Sequence, residues 1–113
     1  MTAPITQHEV EQEILRLSRL AEQVTLELSK RAMAAAEAEA VWKVGFAKAF
    51  LRAGGAMPLR SEIATEECAD LLLEREVTRA REKAAQEAGR NYRTQLDSLR
   101  SINANLRPLT VAS

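Results

Sequence analysis

The sequence predicts an all-α protein, a long antiparallel helical hairpin of the coiled-coil kind. Three observations carry this. Two helix-forming stretches of nearly equal length, about Thr6–Ala53 and Ser61–Arg107, occupy most of the chain; neither contains proline; and Gly54, Gly55 and Pro58 cluster between them. A chain with one breaker cluster midway folds back on itself there. The expected organisation is one helical-hairpin domain over 1–113, with a helix over about 6–53, a turn over 54–60, a helix over about 61–107 and a short tail over 108–113.

The first helix marks its own start. Thr6 followed by Glu9 is a capping box, and Ile5 and Val10 stand at the two positions of a hydrophobic staple. Strong helix formers follow, notably the run Ala32-Met33-Ala34-Ala35-Ala36. Gly45 is the internal weak point, and neighbouring packing is expected to offset its cost of about 1 kcal/mol. The second helix is expected to begin at Ser61 as a cap, with Glu62, Glu66 and Glu67 favourable to its dipole, and to end before Pro108.

Spacing residues about 100° apart shows more apolar width on the first helix than one partner covers. Val10, Ile14, Leu17, Ala21, Val24, Leu28, Ala35, Trp42 and Phe46 form one stripe. A second, Leu15, Leu26, Met33, Ala40, Val44 and Leu51, lies around the helix, with small residues such as Ser18, Ser29, Ala36 and Ala47 nearby. A two-helix hairpin buries one seam per helix, so Leu15, Leu26, Met33, Val44 and Leu51 are the candidate oligomer interface, with a dimeric bundle favoured. On the second helix the apolar residues change phase. Ala64, Cys68, Leu71 and Leu72 point one way, and Val77, Ala80, Ala84, Ala88, Tyr92, Leu99, Ile102 and Leu106 roughly the other, so the tip and the stem are expected to bury different faces. Hairpin pairing brings Trp42 and Phe46 toward Leu72 and Cys68, and Val10–Leu17 toward Asp97–Ala104.

Composition excludes more functions than it suggests. The 16 basic and 16 acidic residues cancel, removing the overall attraction that drives non-specific nucleic-acid binding. The single Cys68 forms no intramolecular disulfide and reads as a small apolar filler in a reducing compartment. The N-terminus lacks the pattern of a signal peptide, and the apolar run around Ala32–Phe46 is broken by Glu37, Glu39 and Lys43, so no membrane span and a cytoplasmic location are expected.

No constellation for chemistry is present. His8 has no second histidine or paired cysteine, so neither a zinc site nor a Cys–His pair is expected. The acidic run Glu62, Glu66, Glu67, Asp70 and Glu74 lacks a loop that converges its oxygens on a cation. Gly54-Gly55 lacks the spacing and the lysine of a phosphate loop. No cofactor, metal or catalytic residue is assigned, and a non-enzymatic role follows.

Two features remain as binding candidates. Arg75, Arg79, Arg90, Arg93, Arg100 and Arg107 fall within about 100° of one another at helical spacing and form an arginine ridge. Such a row can clamp phosphates or an acidic protein surface, or it can be a solvated flank paired with glutamates. Trp42 is either core of the tip or an exposed anchor for a partner.

The runs Asn91-Tyr92-Arg93-Thr94-Gln95-Leu96-Asp97-Ser98-Leu99-Arg100-Ser101-Ile102-Asn103-Ala104-Asn105-Leu106-Arg107 and Val41-Trp42-Lys43-Val44-Gly45-Phe46-Ala47-Lys48-Ala49-Phe50-Leu51-Arg52 resemble short helical accessory proteins encoded by tailed bacteriophages of actinobacteria. The resemblance implies a place among phage replication and recombination functions, beside a DNA-handling enzyme, and transfers no site residue. The expected function is an accessory or adaptor protein binding a phage or host component of DNA replication or recombination machinery. Two alternatives stand beside it: direct nucleic-acid binding by a hairpin dimer through the arginine ridge, and a structural coiled-coil scaffold or assembly chaperone.

Overall fold

A computed structural model describes residues 5–106. The chain is all-α, a helical hairpin of three helices, α1 (Gln7–Ala53), α2 (Met57–Glu67) and α3 (Ala69–Leu106). The capping box forms as the sequence requires: the Glu9 amide donates to Thr6 Oγ1 at 3.1 Å and the Thr6 amide to Glu9 Oε2 at 3.2 Å. The staple is weaker than expected, because Val10 is buried while Ile5 remains 60% exposed.

The turn is shorter than the sequence suggests. Gly54 and Gly55 take φ of 63° and 88°, a left-handed backbone that favours glycine and stops α1. Pro58 then lies in the first turn of α2 rather than in the loop, since a first-turn residue has no intrahelical use for an N–H. The extended Ala56 is the N-cap, without a side-chain bond, so Ser61 does not cap. Ser61 lies inside α2, where its carbonyl accepts the Thr65 hydroxyl at 2.8 Å. Glu62, Glu66 and Glu67 therefore fall outside the first turn and gain little from its dipole.

Cys68 interrupts the second arm. Its φ of −100° and ψ of 16° leave helical geometry. Hydrogen bonds nevertheless run through it, from the Cys68 amide to the Ala64 carbonyl at 3.0 Å and from the Leu72 amide to the Cys68 carbonyl at 2.9 Å. The interruption is a one-residue break in helical geometry, with no proline or glycine to announce it.

By packing, the chain divides into two units, Met1–Leu26 with Gln86–Ser113, and Glu27–Ala85. In the first unit the inward positions are Val10, Ile14, Leu17, Ala21 and Val24 on α1 and Gly89, Tyr92, Leu96, Leu99 and Asn103 on α3. Leu17, only 2% exposed, is its best-buried large side chain. Asn103 is a buried polar member of that seam, a residue type that costs stability and restricts pairing.

In the second unit the inward positions are Leu28, Arg31, Ala35, Ala38, Trp42, Gly45 and Ala49 on α1, facing Ala64, Cys68, Leu71, Arg75, Thr78, Glu82 and Ala85. Its core is Ala49, Ala64 and Cys68, packed by Trp42, Phe46, Phe50 and Leu71. The rings follow one another along α1, with centroids 5.6 Å apart for Trp42–Phe46 and 6.4 Å for Phe46–Phe50. Gly45 permits close approach: a Cβ there would lie 2.6 Å from Leu71 Cδ1.

Within each unit the inward residues recur in alternating steps of four and three, the signature of a coiled-coil seam. The expected change of phase on the second arm is therefore corrected. Ala80, Ala84, Ile102 and Leu106, placed on the buried face by the apolar pattern, are exposed. The seam positions include Arg75, Thr78, Glu82 and Asn103, which an apolar search passes over. A repeat averaging 3.5 residues also drifts about 20° per heptad on a wheel drawn at 3.6, which imitates rotation of the buried face.

Candidate functional site

In the second unit the tip chemistry is organised by Glu39, one turn from Trp42 on the inner flank of α1. Glu39 Oε2 lies 2.8 Å from Arg75 Nε and 2.7 Å from an Arg79 terminal nitrogen, and its Oε1 lies 3.5 Å from Lys43 Nζ. The Arg75 contact is an ion pair rather than an aligned hydrogen bond, since that buried Nε–H has no acceptor in line. Arg75 instead spreads its guanidinium over the Trp42 ring, 4.3 Å from the centroid, in a cation–π arrangement. Its side chain is 17% exposed. Glu76 lies 3.7 Å from both arginines.

This node bears on the core side of the choice for Trp42. The ring is half-buried, against Phe46 on one side and under Arg75 on the other, so it belongs to the packed tip. Nearby, Arg31 donates from Nε to Glu27 at 3.0 Å and from a terminal nitrogen to the Arg81 carbonyl at 3.2 Å. Arg52 reaches Glu67 at 3.4 Å.

The arginine ridge does not present a uniform row of free cations. Arg75 and Arg79, in the second unit, share Glu39. In the first unit Arg100 has Asp97 at 3.7 Å, and Arg90 and Arg93 are exposed without an ion pair among the described residues. Arg107 lies outside the described residues. The hairpin register that sets Trp42 opposite Leu72 also sets Glu39 opposite Arg75, so the glutamate-paired alternative for the ridge is met at Arg75 and Arg79.

On α1 of the first unit, Arg16 donates to the Glu13 carboxylate at 2.9 Å from Nε and through a second, very short contact from a terminal nitrogen. The bidentate bond holds the Glu13 carboxyl below its ordinary range and raises Arg16 above its own. His8 is exposed, Cys68 is buried, and no group of histidine, cysteine and carboxylate side chains able to hold a metal occurs among the described residues. No described helix is long and apolar enough to cross a membrane.

The outward apolar residues of α1 are the other surface feature. Leu15 and Leu26 of the first unit are 51% and 68% exposed. Met33, Val44 and Leu51 of the second are 63%, 54% and 75% exposed. Twelve large hydrophobic side chains are exposed among the described residues, whereas the buried hydrophobic residues of any size beyond alanine and cysteine are Val10, Leu17 and Leu96. Isolated exposed leucines are ordinary, but this balance leaves much of the apolar inventory outside the core.

Compared with family models, curated proteins and solved structures, the chain finds no match.

Proposed function

We propose that the protein is a non-enzymatic adaptor that docks a protein partner, and that the partner belongs to DNA replication or recombination machinery, as the likeness to phage accessory proteins suggests. The observation that carries the protein-binding part is that, among the described residues, twelve large hydrophobic side chains are exposed while Val10, Leu17 and Leu96 are the ones fully buried. Such a surface suits protein contact, where desolvated apolar anchors supply most of the affinity. Phosphate binding has weaker support. The chain carries no net charge, and Glu39 occupies two arginines of the ridge.

The test is retention by the immobilised protein at low and high salt, using purified replication and recombination proteins alongside duplex and single-stranded DNA and RNA. The adaptor reading expects capture of one such protein at both salt concentrations and negligible nucleic-acid retention. Salt-sensitive nucleic-acid retention that is lost in the Arg90→Gln, Arg93→Gln, Arg100→Gln variant would replace it with the direct-binding reading.

A further inference from the structure

We propose that the outer face of α1 in the second unit is a homodimer interface, on which a second copy packs antiparallel with Met33 opposite the partner's Leu51. The proposal deepens the assembly reading and rests on the same exposed residues. Met33, Val44 and Leu51 are separated by steps of 11 and 7 residues. On an α-helix these steps place all three within about 20° of one another, over a length of about 27 Å.

Charge chooses the direction. Glu37 and Lys48 are exposed on the same flank of this ridge, and neither has an ion pair among the described residues. The opposite flank carries the exposed alanines Ala36 and Ala47, which allow close approach. In an antiparallel pair, like flanks meet. Setting Met33 against Leu51 of the second copy then brings Glu37 against its Lys48, twice by symmetry, with Ala40 and Val44 about the two-fold axis. A parallel pair would lay Glu37 and Lys48 against alanines and leave both charges unpartnered.

The available area fits a weak, reversible dimer. The three large side chains and the small residues between them offer on the order of 500 Å² per copy, close to half of the roughly 1,000 Å² total at which specific interfaces begin. Association in the micromolar range is expected, as for the weak, transient interfaces at the low end of the size range.

Sedimentation equilibrium of the unmodified protein, with single-cysteine variants for register, tests this directly. Dimers should form at micromolar concentration. Met33→Glu with Leu51→Glu should weaken them at least tenfold without changing helicity. Met33→Cys and Leu51→Cys chains, oxidised separately, should stay uncross-linked, and their mixture should give a covalent dimer; Cys68 is buried and common to all. Glu37→Lys should weaken association, and adding Lys48→Glu should restore it. A chain that stays monomeric at several hundred micromolar would overturn the proposal, as would either single-cysteine variant cross-linking to itself. A monomeric chain that still captures its protein partner would overturn the dimer and leave the adaptor reading standing.

Discussion

Replacing each of the two helical glycines by alanine should have unequal effects on stability. In a helix interior alanine is favoured over glycine by about 1 kcal/mol. At Gly89 the added Cβ would lie 3.5 Å from Val24 Cγ1, an ordinary van der Waals contact. Gly89→Ala should therefore realise the full gain and raise Tm by about 4 °C for a chain of this size. At Gly45 the same substitution places a methyl 2.6 Å from Leu71 Cδ1. The clash is with the free end of the half-buried Leu71 side chain, so Leu71 must shift, and that shift offsets about 1 kcal/mol, the low end of overpacking costs. Gly45→Ala should thus end near neutral, leaving the two variants separated by about 1 kcal/mol. Urea unfolding followed by circular dichroism, with both variants keeping the parental m-value, measures the difference. Combining Gly45→Ala with Leu71→Ala should recover part of the loss through coupling between the two sites. Equal stabilisation by both glycine substitutions would refute the claim that Gly45 is retained for close approach to Leu71.

Trp42→Ala should destabilise by about 2–3 kcal/mol, less than the 3–5 kcal/mol of a fully buried ring, in the same unfolding assay; a change below about 0.5 kcal/mol would place the ring outside the packed tip. Glu39→Gln removes the counterion of a mostly buried Arg75, and a loss of about 1–2 kcal/mol is expected, with a double-mutant cycle against Arg75→Met showing coupling. Thr6→Ala should cost about 1 kcal/mol or less and speed hydrogen exchange at the first turn of α1 while leaving the tip unchanged. Glu13, whose carboxyl is held low by Arg16, should titrate below an Arg16→Gln variant's Glu13 in an NMR titration. Because the folded-state value is depressed, its stabilisation is present above the unfolded-state value and is lost as pH falls through the folded one.

Sequence alone determined the elements set by local chemistry. The capping box at Thr6 and Glu9 was legible because both partners lie within one turn. The glycine pair at 54 and 55 was legible because few other residues accept that backbone, and the hairpin followed from two long proline-free arms. The first seam on α1, and the outward stripe through Leu15, Leu26, Met33, Val44 and Leu51, were readable because leucine, methionine and valine stand out against alanine. Tertiary structure decided what depends on the facing helix. It placed Pro58 inside the first turn of α2, broke the helical geometry of the second arm at Cys68 without a breaker residue, and put Arg75, Thr78 and Glu82 into a seam that apolar patterning could not trace. It also joined Glu39 to Arg75 and Arg79 and laid Arg75 over Trp42. The physical reason is the same in each case. A helix cap or a left-handed glycine is satisfied by groups within a few residues, whereas burial and ion pairing depend on the register of two helices whose contacting residues lie tens of positions apart.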